Sequence, residues 1–329
     1  MNIKEIDKNL KESSNTDSKV KYIDLNNQYL RGLAFNNDFK RLDDKYFVSK
    51  SVNALQKHPS GVNITFKTNS KTLKIKATLD GKGYMAHMTA VAILGFDLYY
   101  KHEGKFVFVS TTKVDQANYE VVLLDDIDDS EKVFRLYFPL YRALEAAYIG
   151  IEEDAKIEFI KEEAEKVVVY GTSITQGGSV TRPGMSYTNI LERMLDYEFI
   201  NLGFSGSAHL EEEMTDVINA IDKKYLILEV EANNTHQSLV EKLPKFLDKL
   251  KDENIILISH FPHAQALLKK SLKEAIDKNY KFQKQFKNVL FLDGRKLLEK
   301  LNYEETVDGV HLTDLGCFHL ACELKQYLK

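Results

Sequence analysis

Val167-Val168-Val169-Tyr170-Gly171-Thr172-Ser173 is an unbroken apolar, β-branched run that ends on a glycine and a serine. A run of this kind reads as a strand buried on both faces that breaks into a tight turn. Four similar runs follow it: FINL at 199–202, YLILEV at 225–230, IILIS at 255–259 and VLFLD at 289–293. Helical patterns separate them, one with Ile190, Leu191, Met194 and Leu195 on one face, and a last one with Phe318, Ala321, Leu324 and Leu328. Apolar strands alternating with amphipathic helices predict a parallel sheet covered on both sides. In such sheets chemistry sits at the carboxyl ends of the strands, so the residues just after each run are the ones to inspect.

Upstream the period changes to two. Val62, Ile64 and Phe66 alternate with Asn63, Thr65 and Lys67, and Leu73, Ile75, Ala77 and Leu79 alternate with Lys74, Lys76 and Thr78, which predicts half-buried strands, the second with a solvated lysine face. FDLYYKHEGKFVFV reads as a hairpin turning near Gly104, and KVFRLYF repeats the alternation through Phe134, Leu136 and Phe138. Many short strands without a long helix predict an antiparallel β-sandwich. The charge-rich segment EEDAKIEFIKEEAEK, residues 152–166, crosses from one pattern to the other, giving domains at 1–160 and 161–329. The 329 residues agree with that count at about 150 per domain. The polar first twenty or so residues are expected to be mobile.

Composition narrows the functional classes. With 43% apolar residues, 5 prolines and 16 glycines, the chain is neither disordered nor collagen-like. Lys plus Arg number 45 against 49 Asp plus Glu, a balance that gives no reason to expect nucleic acid or an anionic membrane as partner. There is no apolar stretch of spanning length, and the first residues have no secretory apolar region. Cys317 and Cys322 are the two cysteines; they fall on different faces of a predicted helix and read as structural thiols. A cytoplasmic location, no metal and no cofactor are the resulting expectations.

The loops after the strands carry polar residues of catalytic types. Ser173 stands on the turn after the first run, next to orphan backbone N–H groups. The G-x-S-x-G elbow, G-x-G-x-x-G and the P-loop pattern are all absent there. After the second run, Gly203 and Gly206 in NLGFSGS allow close backbone approach. After the third, Asn233 can donate its amide to developing negative charge, while Asn234 and Thr235 are cap candidates for the next helix. Ahead of the last helix, Asp308 precedes His311 by three residues and can fix its tautomer. Each feature alone is ambiguous: strand-Gly-x-Ser also occurs as a plain helix cap, and lone histidines, as most of the other eight are read, are usually structural or solvated. Together they supply a nucleophile, oxyanion donors and an Asp/His pair, all at the loops the topology selects.

This constellation resembles the SGNH hydrolase (GDSL-type esterase) superfamily, whose Ser, Gly, Asn and His blocks occur in this order. The resemblance covers 166–329 and is most specific at DGVHLTDLG. It implies a flavodoxin-like α/β/α fold, with Ser173, Asp308 and His311 as the triad and Ser173, Gly206 and Asn233 as the oxyanion hole. SGVNITFKTNS, GFDLYY and FRLYFPLY resemble the jelly-roll-like β-sandwich that precedes the hydrolase domain in a two-domain branch linked to deacetylation of sugars and oligosaccharides. Two departures stand out. Thr172 replaces the Asp of Gly-Asp-Ser, and block three reads Glu231-Ala232-Asn233-Asn234, which leaves Asn234 as an alternative donor.

The resemblance thus implies a serine esterase acting on a short acyl ester, acetyl foremost, of a small molecule or oligosaccharide. A serine hydrolase for lysophospholipid or thioester, and an inactive carbohydrate-binding protein, are the alternatives; the absence of an amphipathic lipid-binding helix or apolar lid disfavours a long-chain lipase. Arg182, soon after the nucleophile, is a candidate substrate contact, with a surface arginine in a turn as the equally weighted reading. The loop at 83–88 can reach from the sandwich to the cleft, although packing is the simpler role for Met85 and Met88. Homo-oligomerisation is left open.

Overall fold

A computed structural model of the chain describes residues 3–16, 19–35, 38–250 and 253–329. The period-two half forms two antiparallel sheets. Strands β1 (Val20–Asp24), β2 (Asn63–Thr68), β3 (Leu73–Leu79), β4 (Asp97–His102), β5 (Lys105–Thr111), β6 (Asn118–Leu124), β7 (Lys132–Tyr137), β8 (Leu144–Glu152) and β9 (Ile157–Phe159) assemble in the orders β1-β8-β3-β6 and β5-β4-β7-β2-β9. Ile64, Phe66, Phe134, Leu136 and Leu98 of one sheet share a core with Ile75, Ala77, Ile149, Ile151 and Val121 of the other. Alternation thus places the apolar face of each strand between the sheets, as in a sandwich. The β4–β5 hairpin turns through Glu103-Gly104, with His102 paired to Lys105.

The second half carries β10 (Glu165–Gly171), β11 (Tyr197–Gly203), β12 (Tyr225–Glu229), β13 (Ile255–Ile258) and β14 (Leu290–Leu292), all parallel, in the order β11-β10-β12-β13-β14. This is the flavodoxin-like order, and its switch point lies beside β10. Side chains of β10 point alternately to two helical layers. Val167 and Val169 join Ile190, Leu191, Leu320 and Leu324 of helices Tyr187–Met194 and Asp314–Leu324, while Val168 and Tyr170 join Met214, Val217, Leu239 and Leu243 of helices Glu212–Asn219 and His236–Lys249.

Several local expectations are corrected. The N-terminal segment is not a free tail over its described part: Ser13 N–H donates to the Lys113 carbonyl (2.8 Å) and Val122 N–H to the Ser14 carbonyl (2.9 Å). Residues 1, 2, 17 and 18 of this stretch lie outside the described residues. The same segment covers Lys74, whose ammonium donates to the Thr16 carbonyl (2.6 Å); the lysine face of β3 is therefore solvated at Lys76 but not at Lys74. In the last helix the buried face is Cys317, Leu320, Ala321 and Leu324, whereas Phe318 is exposed. Burial pushes the Cys317 thiol far up, as expected of a structural thiol.

The polar side of β2 meets solvent only at Lys67. Asn63 and Thr65 are fully buried because the parallel half packs on them. Asn63 donates to Glu192 (2.9 Å), while Glu162 accepts from Thr65 (3.0 Å), Arg31 (2.8 Å) and Arg135 (2.6 Å). Farther along the interface, the Arg182 guanidinium donates to Asp97 Oδ2 (2.8 Å) and the Tyr99 hydroxyl (2.7 Å) and lies 3.8 Å over the Phe108 ring. The same Asp97 oxygen accepts from Gly184 N–H (2.8 Å). Burial raises the Asp97 carboxyl above its usual range, against the pull of Arg182 and these hydrogen bonds. Removing the cation strands a buried carboxylate, so Arg182→Ala is expected to cost about 3 kcal/mol of stability. Urea unfolding with an unchanged midpoint would contradict this anchoring role.

Candidate active site

The turn after β10 is built by its neighbours. Thr172 caps the short helix Ser173–Gln176, its hydroxyl accepting from Ile174 N–H (3.2 Å). That hydroxyl donates in turn to Glu229 Oε2 (2.8 Å) at the end of β12. The same carboxylate oxygen accepts from Thr172 N–H (3.1 Å) and the Thr175 hydroxyl (3.0 Å). A side chain at Gly171 would meet Thr175 Oγ1 at 2.1 Å, so glycine is what lets the turn fold back on its strand. Ser173 is thereby held at the strand end with 8% of its surface exposed.

Its Oγ lies 2.9 Å from Nε2 of His311. His311 belongs to a tight loop closed by the Thr306–Leu312 bridge and by Thr313 N–H donating to the Glu305 carbonyl (2.8 Å). Within it, Asp308 Oδ2 is 2.7 Å from His311 Nδ1, while Oδ1 accepts from the N–H groups of Val310 (2.9 Å) and His311 (2.8 Å). Partial burial pushes the Asp308 carboxyl up, but the hydrogen bonds from the His311 ring and these two N–H groups outweigh it and hold the carboxyl at about 2. The carboxylate therefore stays ionised at neutral pH and accepts a hydrogen bond from Nδ1–H, which directs the Nε2 lone pair at the Ser173 hydroxyl.

The oxyanion candidates come from the next two strand ends. Gly206 sits in a turn with φ +65°, next to Ser207 N–H donating to the Phe204 carbonyl (2.9 Å). The N–H groups of Ser173 and Gly206 have no acceptor among the described residues. Asn233 ends a short 3₁₀ turn, Glu231–Asn233, and its carbonyl is 3.0 Å from His209 Nδ1. The orientation that satisfies its amide has Oδ1 accepting from Ser207 N–H (3.0 Å) and Ala208 N–H (3.1 Å), which turns the NH₂ away from them. Asn234, by contrast, spends its amide protons on the carbonyls of Ala208 (2.9 Å) and Val230 (2.8 Å), and Thr235 rather than Asn234 caps the following helix. Arg182 is not joined to this group by any polar contact, since its guanidinium faces Asp97, Tyr99 and Met185.

Four residues that the sequence reading left without a role surround the site. Glu229 is one, and its only sequence signal is an acid at the end of an otherwise apolar strand. Gln176 is fully buried; it donates to the Leu140 carbonyl (3.1 Å) and accepts from Ser205 N–H (2.9 Å), tying the Gly206 turn to the antiparallel half. The Tyr141 hydroxyl reaches the Ser173 carbonyl (3.4 Å) and the Ser205 hydroxyl (3.5 Å). His87, in the loop at 83–88, brings its ring centroid to 5.1 Å from that of His311. No group of three or more metal-ligating side chains occurs among the described residues, and no helix there is long and apolar enough to cross a membrane.

The match to known proteins decides the class. The model of the GDSL-like lipase/acylhydrolase family matches residues 164–329. The chain belongs to this family. Residues 20–157 match the GxDLY model, which describes the N-terminus of SGNH-hydrolase-type esterases. This member therefore has the two-part organisation of those esterases, and it is a carboxylic ester hydrolase. In the stretch Gly95-Phe96-Asp97-Leu98-Tyr99 that fits the GxDLY label, Asp97 and Tyr99 are the residues that hold Arg182.

A solved structure described as a GDSL-like lipase from Bacteroides ovatus ATCC 8483 shares 31% identity, covering 94% of this chain and 96% of that one at a TM-score of 0.86. A salicylyl-acyltransferase, SsfX3, from a tetracycline biosynthetic pathway shares the fold at 18% identity over 93% and 96% (TM-score 0.66). A family two carbohydrate esterase from Cellvibrio japonicus does so at 12% over 94% and 97% (0.56). No curated protein matches the chain.

The buried Glu229 carboxylate gives a pH signature. Burial pushes it up to about 7, with the hydrogen bonds from Thr172 and Thr175 opposing the rise. An unfolded glutamate titrates near ~4.3. The folded protein therefore holds more protons between those values, and stability falls as pH rises through that window. Glu229→Gln keeps the acceptor oxygen and removes the titration. The difference in unfolding free energy between about pH 5 and about pH 8 is expected to shrink in this variant. Equal pH slopes for the two proteins in urea titrations would contradict the assignment.

Proposed function

We propose that the protein is a serine esterase that removes short acyl groups, acetyl foremost, from a carbohydrate or similar polyhydroxylated alcohol. The observation that carries this reading is the continuous relay from Ser173 Oγ to His311 Nε2 at 2.9 Å and from His311 Nδ1 to Asp308 at 2.7 Å. In the proposed reaction His311 takes the Ser173 proton as the hydroxyl attacks the ester carbonyl. The negative charge that develops on the carbonyl oxygen is received by the N–H groups of Ser173 and Gly206 and the Asn233 amide. His311 then protonates the leaving alcohol, and a water activated by the same imidazole releases the acid. Asp308 holds the ring and balances its charge throughout.

The substrate part of the proposal draws on the carbohydrate esterases that share the fold, among them an acetyl xylan esterase from Butyrivibrio proteoclasticus, at 14% identity over 94% of this chain and 98% of that one (TM-score 0.53). Ser173→Ala and His311→Ala are each expected to lower kcat about 10⁴-fold, and Asn233→Ala about 10²–10³-fold, in a p-nitrophenyl acetate assay. Full-rate turnover by Ser173→Ala would end the proposal. A series of p-nitrophenyl esters is expected to peak at the shortest acyl groups, and a screen of acetylated mono- and oligosaccharides to release acetate. A maximum at long chains would favour a lipid substrate instead.

A further inference from the structure

We propose that His87, supplied by the antiparallel half, is a substrate-binding residue that hydrogen-bonds a hydroxyl on the alcohol side of the ester. The inference rests on the esterase reading above and extends it to the residue that recognises the leaving group. Its starting point is a juxtaposition: the His87 ring lies against the His311 ring, centroid to centroid 5.1 Å and inclined by 33°.

The loop that brings it there is pinned on both sides. A Cβ at Gly83 would meet Ile93 Cγ2 at 2.3 Å, so the loop lies flat on the sandwich at that point. Met85 and Met88 pack against the core, and Met88 N–H donates to the Met85 carbonyl (3.1 Å). Thr89 caps helix Ala90–Leu94 and donates its hydroxyl to the Thr181 carbonyl in the other half. Thr181 N–H in turn donates to Asp314 (2.9 Å), three residues beyond His311. His87 is therefore held over His311 by contacts to both halves, one of which ends in the segment that carries His311 itself.

What His87 lacks is a partner. It is half-buried, and no hydrogen bond reaches either ring nitrogen among the described residues. A ring nitrogen donates where it carries a proton and accepts where it does not, and a hydroxyl can meet it in either role. The side of the substrate it meets follows from the mechanism. The leaving oxygen must come within hydrogen-bond reach of His311 Nε2 to be protonated, whereas the acyl oxygen lies toward Ser173, Gly206 and Asn233. A group packed on His311 thus adjoins the alcohol.

The test compares wild type, His87→Ala, His87→Gln and Ser173→Ala on two esters, a methyl glucoside carrying a single acetyl group and p-nitrophenyl acetate, with thermal melting as the check on folding. Loss of one hydrogen bond is expected to raise KM for the sugar ester about 3- to 10-fold in His87→Ala, with a smaller change for the aryl ester and partial recovery in His87→Gln. Equal losses on both esters, a loss confined to kcat, or a wild-type enzyme that turns over the aryl ester but not the sugar ester would overturn the proposal. Undiminished activity of Ser173→Ala would instead overturn the esterase reading on which it rests.

Discussion

A serine hydroxyl is a poor nucleophile until an imidazole nitrogen stands within hydrogen-bond reach of it. Here that contact, Ser173 Oγ to His311 Nε2, joins residues 138 apart in the chain. Parallel topology makes it attainable: strands that all point one way deliver their following loops to a single edge, and the β10–β12 switch point opens a crevice there. The last helix carries the second partner back to that edge. Its N-cap, Thr313, is anchored to the Glu305 carbonyl, so the cap that starts the helix also closes the loop that holds His311.

Beneath the nucleophile lies a second constraint. One oxygen of Glu229 receives three hydrogen bonds from Thr172 and Thr175. Thr172 thereby ties the turn to a carboxylate on the neighbouring strand. Burial makes that carboxylate reluctant to ionise, the three donors draw it back, and the outcome is a turn whose firmness is tied to protonation.

Much of this was legible in the residues. The five apolar runs of the second half became its five parallel strands; inner strands such as β10 and β13 are apolar because both faces are buried, while β14, at the sheet edge, leaves Leu290 exposed. Ser173, Asp308 and His311 stood out because their types and order are chemically constrained. What was not legible depended on what packs across the interface. Lys74 looked solvated until the N-terminal segment covered it, and Asn63 and Thr65 until the parallel half did. Arg182 read equally as a substrate contact and as a surface arginine in a turn, and neither reading could show Asp97, 85 residues away, as its partner. Glu229 and Gln176 escaped notice for the same reason, and of the loop at 83–88 the sequence showed only that it could reach the cleft, not that His87 is the side chain that does: a polar residue announces a function only when its surroundings are known.

The two halves are accordingly one machine in physical terms, with Arg182, Gln176, Tyr141 and the His87 loop crossing between them. The proposed chemistry requires that Ser173 itself be acylated. The most direct measurement is mass spectrometry of the protein quenched in acid during turnover of p-nitrophenyl acetate. An acetyl group is expected on the peptide that contains Ser173, gained and lost on the timescale of turnover. Acetate release with no acetylated peptide, or with the acetyl group on another residue, would contradict it.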